Sequence, residues 1–501
     1  MEPARFLIAL TAALGFVWRA LKGAPQGQKK PTHELDYRPA EVASSKKGRA
    51  AEFDVSAIDV LPEYEVVRDL VQEGFPLVFV TGSAGTGKST FIRWMQHEFD
   101  GSILVAAPTG MAAINIDGQT LHRLCSLPPA FILKPDIKLD ERRLDIRKAK
   151  VLIIDEVTMV TANLLDAVSA YLKRNRDDER PFGGLPIVIV GDLFQLPPIV
   201  TSDVRALFTR HYGTAKFFNA RSVQMSNYYA VELKKTYRQS DQHFVDLLAK
   251  IRVGHDLAAT LDEFNGACAI TRIPQEGAVF LSPRNAEVER INSRKLEAIE
   301  QPEFVYHAVT NGKFKRERAP APQILRLRVG AQVMFTKNGR RSGWVNGSIG
   351  TVRALENDKV TVELDTRQTV NVTVETWDEF EYRWNAIESR IDRTVIGSYM
   401  QVPLVLGWAI TIHKSQGKTI ERVHLDLGAG AFETGQTYVA LSRCRALSGL
   451  TMSRRLTGAD IMVDKESKDF HQKLLEVMKM LPVHAMKNKV AQARLESSTK
   501  I

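Results

Sequence analysis

The residues best suited to chemistry lie together near the start of the chain: Gly82-Ser83-Ala84-Gly85-Thr86-Gly87-Lys88-Ser89, followed by Thr90. The GxxxxGK[ST] spacing lets backbone amides curl around phosphate, sends Lys88 to the β and γ phosphates and offers the Ser89 hydroxyl as a magnesium ligand. Context separates this motif from a chance glycine-rich turn. Leu77-Val78-Phe79-Val80 before it reads as a buried parallel strand, and Thr90 to Phe99 after it carries a helical pattern, the setting the motif needs.

Two further apolar runs end in polar groups. Val151 to Ile154 delivers Asp155-Glu156; Asp155 suits magnesium held through water, and Glu156 is placed to orient and deprotonate an attacking water. Ile187 to Val190 leads into Gly191-Asp192-Leu193-Phe194-Gln195. An amide such as Gln195 can donate to a γ-phosphate and accept from water, or it is a plain loop amide. After the strand Ile103 to Ala106 come Ala107-Pro108-Thr109-Gly110 and then Gly118-Gln119-Thr120-Leu121-His122. Thr109 and His122 are good donors to phosphate or sugar beside helix starts; a helix cap and a satisfied core group are the plainer readings.

In order along the chain, GSAGTGKST, APTGMAA, IIDEVTMV, PFGGLPIVIVGDLFQLPP, LKKTYRQ, AITIHKSQGKT and GQTYVALSR resemble the motifs of the Pif-family helicases, in the branch of superfamily one that also contains the RecD-like enzymes. The likeness covers about Leu61 to Asp464. It implies an α/β fold of two RecA-like P-loop NTPase lobes, a small wedge insertion in the first and a small β-barrel insertion in the second. ATP with Mg2+ then lies in the cleft between the lobes. In this resemblance Arg238 of TYRQ and Arg443 of ALSR reach the triphosphate, where an always-charged guanidinium stabilises the developing charge on a transferring phosphoryl group; for an isolated arginine a surface ion pair is the plainer account. The HKSQG segment resembles the family's coupling segment, with Gln416 and Gly417 on the nucleotide side and Thr411 and His413 on the DNA side, joining Pro108, Thr109, Gly110 and His122. His413 can equally make a structural hydrogen bond. Two positions depart from the family: Leu61-Pro62-Glu63-Tyr64-Glu65 lacks the glutamine that relatives use to read adenine, which predicts a relaxed nucleotide choice with Tyr64 as a stacking alternative, and Thr158 stands where a serine is usual.

These sites must be positioned by elements spread over a chain of 501 residues, long enough for about three domains of roughly 150 residues. Apolar content of 44% and charged content of 25% belong to a globular protein, and the net charge of +10 favours a polyanionic partner without requiring one. Cys125, Cys268 and Cys444 have no metal or redox spacing, so a reducing compartment is the default. The layout expected is an N-terminal apolar segment and tether (1–56), a first lobe (57–235) with the wedge at 124–148, a second lobe (236–464) with the barrel at 323–394, and a C-terminal helix and tail (465–501). Phe6 to Trp18 is shorter than a comfortable bilayer span and reads as a packed or interfacial helix, with membrane association a minor alternative. In the wedge, Pro128-Pro129, Phe131 and Arg142-Arg143 are candidates for strand separation or core. In the barrel, alternation around Asn346-Gly347 and Asn357-Asp358 argues for strands, while Lys313, Lys315, Arg316, Arg318, Arg340, Arg341 and Trp344 are candidates for phosphate or base contact or a solvated charged face.

The function expected is an ATP-dependent DNA helicase that translocates on single-stranded DNA, 5′ to 3′ by resemblance, and opens forked or structured duplexes in replication, repair, recombination or telomere maintenance. It is expected to be a monomer, in the nucleoid of a bacterium or the nucleus or mitochondrion of a eukaryote. An RNA or RNA–DNA hybrid track is an alternative, since phosphate contacts barely discriminate. Retention of Lys88, Asp155, Glu156, Gln195, Arg238 and Arg443 speaks against an ATPase-dead scaffold, and the HKSQG and ALSR strings disfavour a P-loop kinase or ring ATPase.

Overall fold

The computed structural model describes residues 58–480, less 129, 133–136, 138, 141–142, 315–318, 340–343, 386 and 388–389. The N-terminal apolar segment and the C-terminal tail lie outside these residues, as do Pro129, Arg142, Lys315, Arg316, Arg318, Arg340 and Arg341. Among the described residues no helix is long and apolar enough to cross a membrane.

The first lobe is built on six parallel strands in the spatial order β3-β2-β4-β5-β1-β6: β1 (Leu77–Gly82), β2 (Ile103–Ala107), β3 (Gln119–Thr120), β4 (Val151–Ile154), β5 (Ile187–Gly191) and β6 (Tyr228–Leu233). Every residue of β1, β2, β4 and β5 is buried, because helices cover both faces; that is why these stretches are continuously apolar rather than alternating. Helices Pro62–Gln72 and Lys88–Glu98 pack on one face through Val66, Leu70, Phe91 and Met95, and helix Ala162–Arg176 packs on the other through Leu165, Val168 and Leu172. All strands point the same way, so the phosphate loop, Thr109, Asp155 and Asp192 emerge along one edge, the usual ligand edge of a parallel sheet.

A second parallel sheet has the order β19-β8-β20-β21-β7: β7 (Ala269–Ile270), β8 (Val279–Ser282), β19 (Ala409–Thr411), β20 (Val423–Leu425) and β21 (Leu450–Met452). The expected pairing of the Val423 and Ala278 runs is present, with Val423 opposite Val279. Between β8 and β19 runs the insertion: β9 (Phe304–His307), β10 (Val309–Gly312), β11 (Ile324–Leu327), β12 (Gln332–Phe335), β13 (Ile349–Leu355), β14 (Lys359–Leu364), β15 (Thr369–Thr373), β16 (Glu375–Asn385), β17 (Arg390–Gln401) and β18 (Leu404–Leu406). Its strands begin before position 323 and end after 394. The short strands β9 and β10 pair with β11 and β17, and four residues are too few to display alternation in sequence. Trp344 corrects an expectation: its indole packs on Phe335 at 4.9 Å between ring centroids, 7% exposed, and offers no surface for stacking on a base. Phe131, a wedge candidate, meets Phe208 edge to face at 4.8 Å.

The helix Lys465–Met480 follows the second lobe in sequence yet packs on the first. Phe470 stacks on Phe218 at 4.5 Å, Leu474 is fully buried in the first-lobe core, and Lys216 binds Asp464 and Glu466 at 2.6 and 3.0 Å.

Candidate nucleotide and nucleic-acid site

The phosphate loop is shaped by backbone that only glycine tolerates easily. Gly85 and Gly87 sit at φ 85° and 84°, and a Cβ on Gly85 would lie 2.5 Å from Cβ of Arg238, so side chains are excluded where amides must converge. Lys88 opens the helix Lys88–Glu98 and donates from Nζ to the carbonyls of Gly82 and Ser83 at 2.9 and 2.8 Å, which pins the ammonium across the mouth of the loop. Burial pulls its pKa down, opposed by the charges of Asp192, Glu156 and Asp155. Thr86 is fully buried and holds Ser83, while the Ser89 hydroxyl beside it is exposed; Thr90 continues the helix.

At the end of β4, Asp155 is almost buried and accepts the Glu156 amide at 2.9 Å. Glu156 sits in the left-handed region at φ 48°, a strained conformation that aims its carboxylate into the cleft. Burial pushes both carboxyl groups up, and for Asp155 the neighbouring Glu156 charge adds to it. From the second lobe Gln416 donates to Glu156 at 3.0 Å and to Oε1 of Gln195 at 3.1 Å. Three separate motifs thus meet at one amide, with Gly417 beside it at φ 77°.

Arg443, 1% exposed, donates to the carbonyl of Val439 at 2.8 Å, the hydroxyl of Ser442 at 2.8 Å and, at 3.4 Å, the carbonyls of Ser415 and Lys418. Arg238 donates to Thr419 Oγ1 at 3.0 Å and to the Ser442 carbonyl at 3.2 Å. Burial pushes Arg443 down to about 10 and Arg238 to about 9, the latter helped by repulsion from Arg443. Two adjacent guanidinium groups held by neutral acceptors lie within reach of the Glu156 charge, an arrangement able to take an anion.

The expected DNA-facing residues fall on the strand ends of the two lobes. Pro108 and Gly110 are half-buried around Thr109, whose hydroxyl caps the helix Gly110–Asn115 by accepting from Ala112. Thr411 caps Ile412–Ser415 in the same way and is 4% exposed, so its contribution is to shape the coupling segment. His413 is half-buried and neutral, its pKa lowered by burial. His122 lies in the first turn of Leu121–Leu124, between two residues that touch the insertion hairpin: Gln119 donates to the Phe380 carbonyl and Arg123 pairs with Glu379.

A family model for PIF1-like helicases matches residues 64–260. The ATP-dependent DNA helicase Pif1 of Bdellovibrio bacteriovorus is 32% identical over 408 residues, covering 79% of this chain and 88% of that protein. The chain belongs to the Pif1 helicase family. Bacteroides Pif1 in complex with ADP-AlF4 superposes with a TM-score of 0.78 at 35% identity, covering 84% of this chain and 97% of that one. For the same helicase bound to single-stranded DNA the TM-score is 0.60, over 83% and 97%. The arrangement described here is therefore nearer to that nucleotide-analogue complex, and equally to unliganded Bacteroides Pif1 at a TM-score of 0.76, than to the DNA-bound one.

This Pif1-family chain also uses groups the motifs alone did not single out. Asp192 is fully buried, paired with Arg252 at 2.8 Å and accepting from Tyr438 at 2.9 Å; an aspartate one residue past a buried strand is the signal that would have found it. Tyr64 is only 1% exposed, packed on Phe91 and Trp94 with its hydroxyl on the Gly87 carbonyl, so it cannot stack on a base. The exposed aromatic at the loop is Tyr237, whose ring a Cβ on Gly87 would meet at 3.4 Å. No group of three or more metal-ligating side chains exists among the described residues. An exposed hydroxyl and an acidic pair whose charge burial disfavours nevertheless fit a hard cation that takes most of its ligands from phosphate and water.

Proposed function

We propose that this helicase hydrolyses ATP in the cleft between Lys88 and Arg443 and uses the resulting lobe motion to step 5′ to 3′ along single-stranded DNA, opening forked or structured duplexes. The observation that carries the reading is the Gln416 amide, which bridges Glu156 and Gln195 of the first lobe from the second. A change at the γ-phosphate is felt at once by the segment that holds Thr411 and His413.

The roles follow from geometry. Amides of Gly82 to Thr90 cradle the phosphates, and Lys88 with Arg238 and Arg443 neutralises charge on the transferring group. Glu156 takes the proton of the attacking water while Gln195 and Gln416 orient it. Ser89 and Asp155 would hold Mg2+, which would supply charge neutralisation to the phosphates. With Tyr64 buried, Tyr237 is the platform for the base; a ring face accepts any purine, consistent with the missing glutamine. On the DNA side, Pro108, Thr109, Gly110 and His122 of the first lobe and His413 of the second line a phosphate track, with the buried Thr411 shaping the segment that carries His413 and with Gln119 and Arg123 holding the insertion hairpin beside it.

The test is unwinding of forked DNA bearing a 5′ or a 3′ tail, with wild type and Lys88→Ala. Only the 5′-tailed substrate should open, and Lys88→Ala should bind single-stranded DNA without unwinding it. Opening from the 3′ tail, or ATP-driven unwinding by Lys88→Ala, defeats the proposal.

A further inference from the structure

One side chain that joins the two lobes is a tyrosine outside the expected set. Tyr438 lies in the second-lobe helix Gln436–Leu441, and its ring packs in the core of that lobe. Its hydroxyl leaves that core and enters the first lobe, where it accepts from the amide of Ala84 in the phosphate loop at 2.9 Å and donates to Oδ2 of Asp192 at 2.9 Å. Asp192 is fixed in turn by Arg252 at 2.8 Å and holds the amide of Gln195 at 3.4 Å. One hydroxyl therefore satisfies a loop donor and a buried carboxylate, both on the lobe opposite to its own. Five residues later comes Arg443, whose Nε donates to the carbonyl of Val439, the neighbour of Tyr438. The guanidinium is thus braced on the short segment that Tyr438 ties to the phosphate loop.

We propose that Tyr438 is a positioning residue for hydrolysis: its hydroxyl sets the distance between the phosphate loop and the second lobe, and so sets where Arg443 stands relative to the γ-phosphate. This rests on the role assigned to Arg443 above. Loss of the hydroxyl leaves the Ala84 amide without its partner and releases one side of the brace, while the ring and the remaining packing stay. The phosphate-loop amides and Lys88, which are proposed to hold ADP, lie on the first lobe and are retained. What is lost is alignment in the transition state, where a displacement of about 1 Å costs on the order of 100-fold in rate.

The experiment is Tyr438→Phe, Arg443→Ala and the double variant in the full chain, read by melting temperature, DNA-stimulated kcat, KM for ATP, and affinities for ADP and for ADP with aluminium fluoride. Expected for Tyr438→Phe is a folded protein with kcat lower by roughly 10- to 100-fold, a matching loss of affinity for the aluminium fluoride complex, and ADP affinity within two-fold of wild type. In the Arg443→Ala background the same change should do little, because the group it positions is gone. A kcat within two-fold of wild type overturns the inference. So does an equal loss with Arg443 already removed, or a fall in ADP affinity as large as the fall in kcat, since either makes Tyr438 act through the loop alone. Arg443→Ala with wild-type turnover would defeat the underlying role of Arg443, whereas a large loss there with none in Tyr438→Phe defeats this inference only.

Discussion

Two sides of the same cleft treat buried arginine differently. Where Asp192 and Phe194 of the first lobe line the cleft, Arg252, on a helix packed in the second-lobe core, meets a carboxylate: it pairs with Asp192 at 2.8 Å and lies over the Phe194 ring at 4.7 Å, and the pair holds Asp192 ionised despite burial that opposes it. On the second-lobe side Arg443 and Arg238 have only carbonyl and hydroxyl acceptors among the described residues, and burial lowers the pKa of both. A charge compensated inside the fold is a structural device. A charge left facing neutral acceptors is uncompensated inside the fold and open to a counterion from outside it. Lys418 belongs to the second kind: it is almost buried, donates to Asn346 Oδ1, and burial pulls it down to about 8.

The largest effect expected from this contrast is on turnover. Arg443→Ala should reduce DNA-stimulated hydrolysis by about 1,000-fold or more, as for an arginine completing a phosphoryl-transfer site, with little loss of melting temperature. Equal damage to stability and rate would erase the distinction drawn between the two sides. Arg252→Ala should show the opposite profile, losing about 3 to 5 kcal/mol of stability because Asp192 is left buried without its ion-pair partner. Denaturant unfolding measures this directly, and a variant as stable as wild type would show that the Asp192 pair is dispensable.

The smallest expected effect sharpens the comparison through pH. Lys418 has a folded-state pKa below that of an unfolded lysine, so the unfolded chain binds more protons between about pH 8 and the ordinary lysine value. Wild-type stability should therefore rise over that interval relative to Lys418→Met, which carries no titrating group. At pH 7 Lys418→Met should be more stable by about 1 to 3 kcal/mol, and the gap should narrow as pH increases. A pH-independent difference would mean that the ammonium is compensated in solution.

Much of this was legible before folding was considered, for a physical reason. Motifs that bind phosphate must concentrate glycine, a lysine and a hydroxyl within eight residues, and strands buried on both faces must be apolar throughout, so Gly82 to Ser89 and the four runs that precede functional turns stand out. The insertion was harder to bound, since β9 and β10 are defined by partners far along the chain. Trp344 and Tyr64 went the other way: both carry the chemistry of base stacking, and only packing on Phe335, or on Phe91 and Trp94, shows them to be core.

Local spacing and composition carry the order of the motifs, the parallel α/β character of both lobes and the candidate phosphate-handling groups, so these are readable from the chain alone. Only the tertiary structure shows which buried arginines meet a carboxylate and which meet neutral acceptors alone, and that the helix Lys465–Met480 returns to the first lobe. It alone decided too that the Tyr438 hydroxyl crosses the cleft to Ala84 and Asp192, 354 and 246 residues away in the chain. Contacts at such separations carry no periodicity or spacing that a local pattern can record; they exist only once the two independently patterned lobes are brought together.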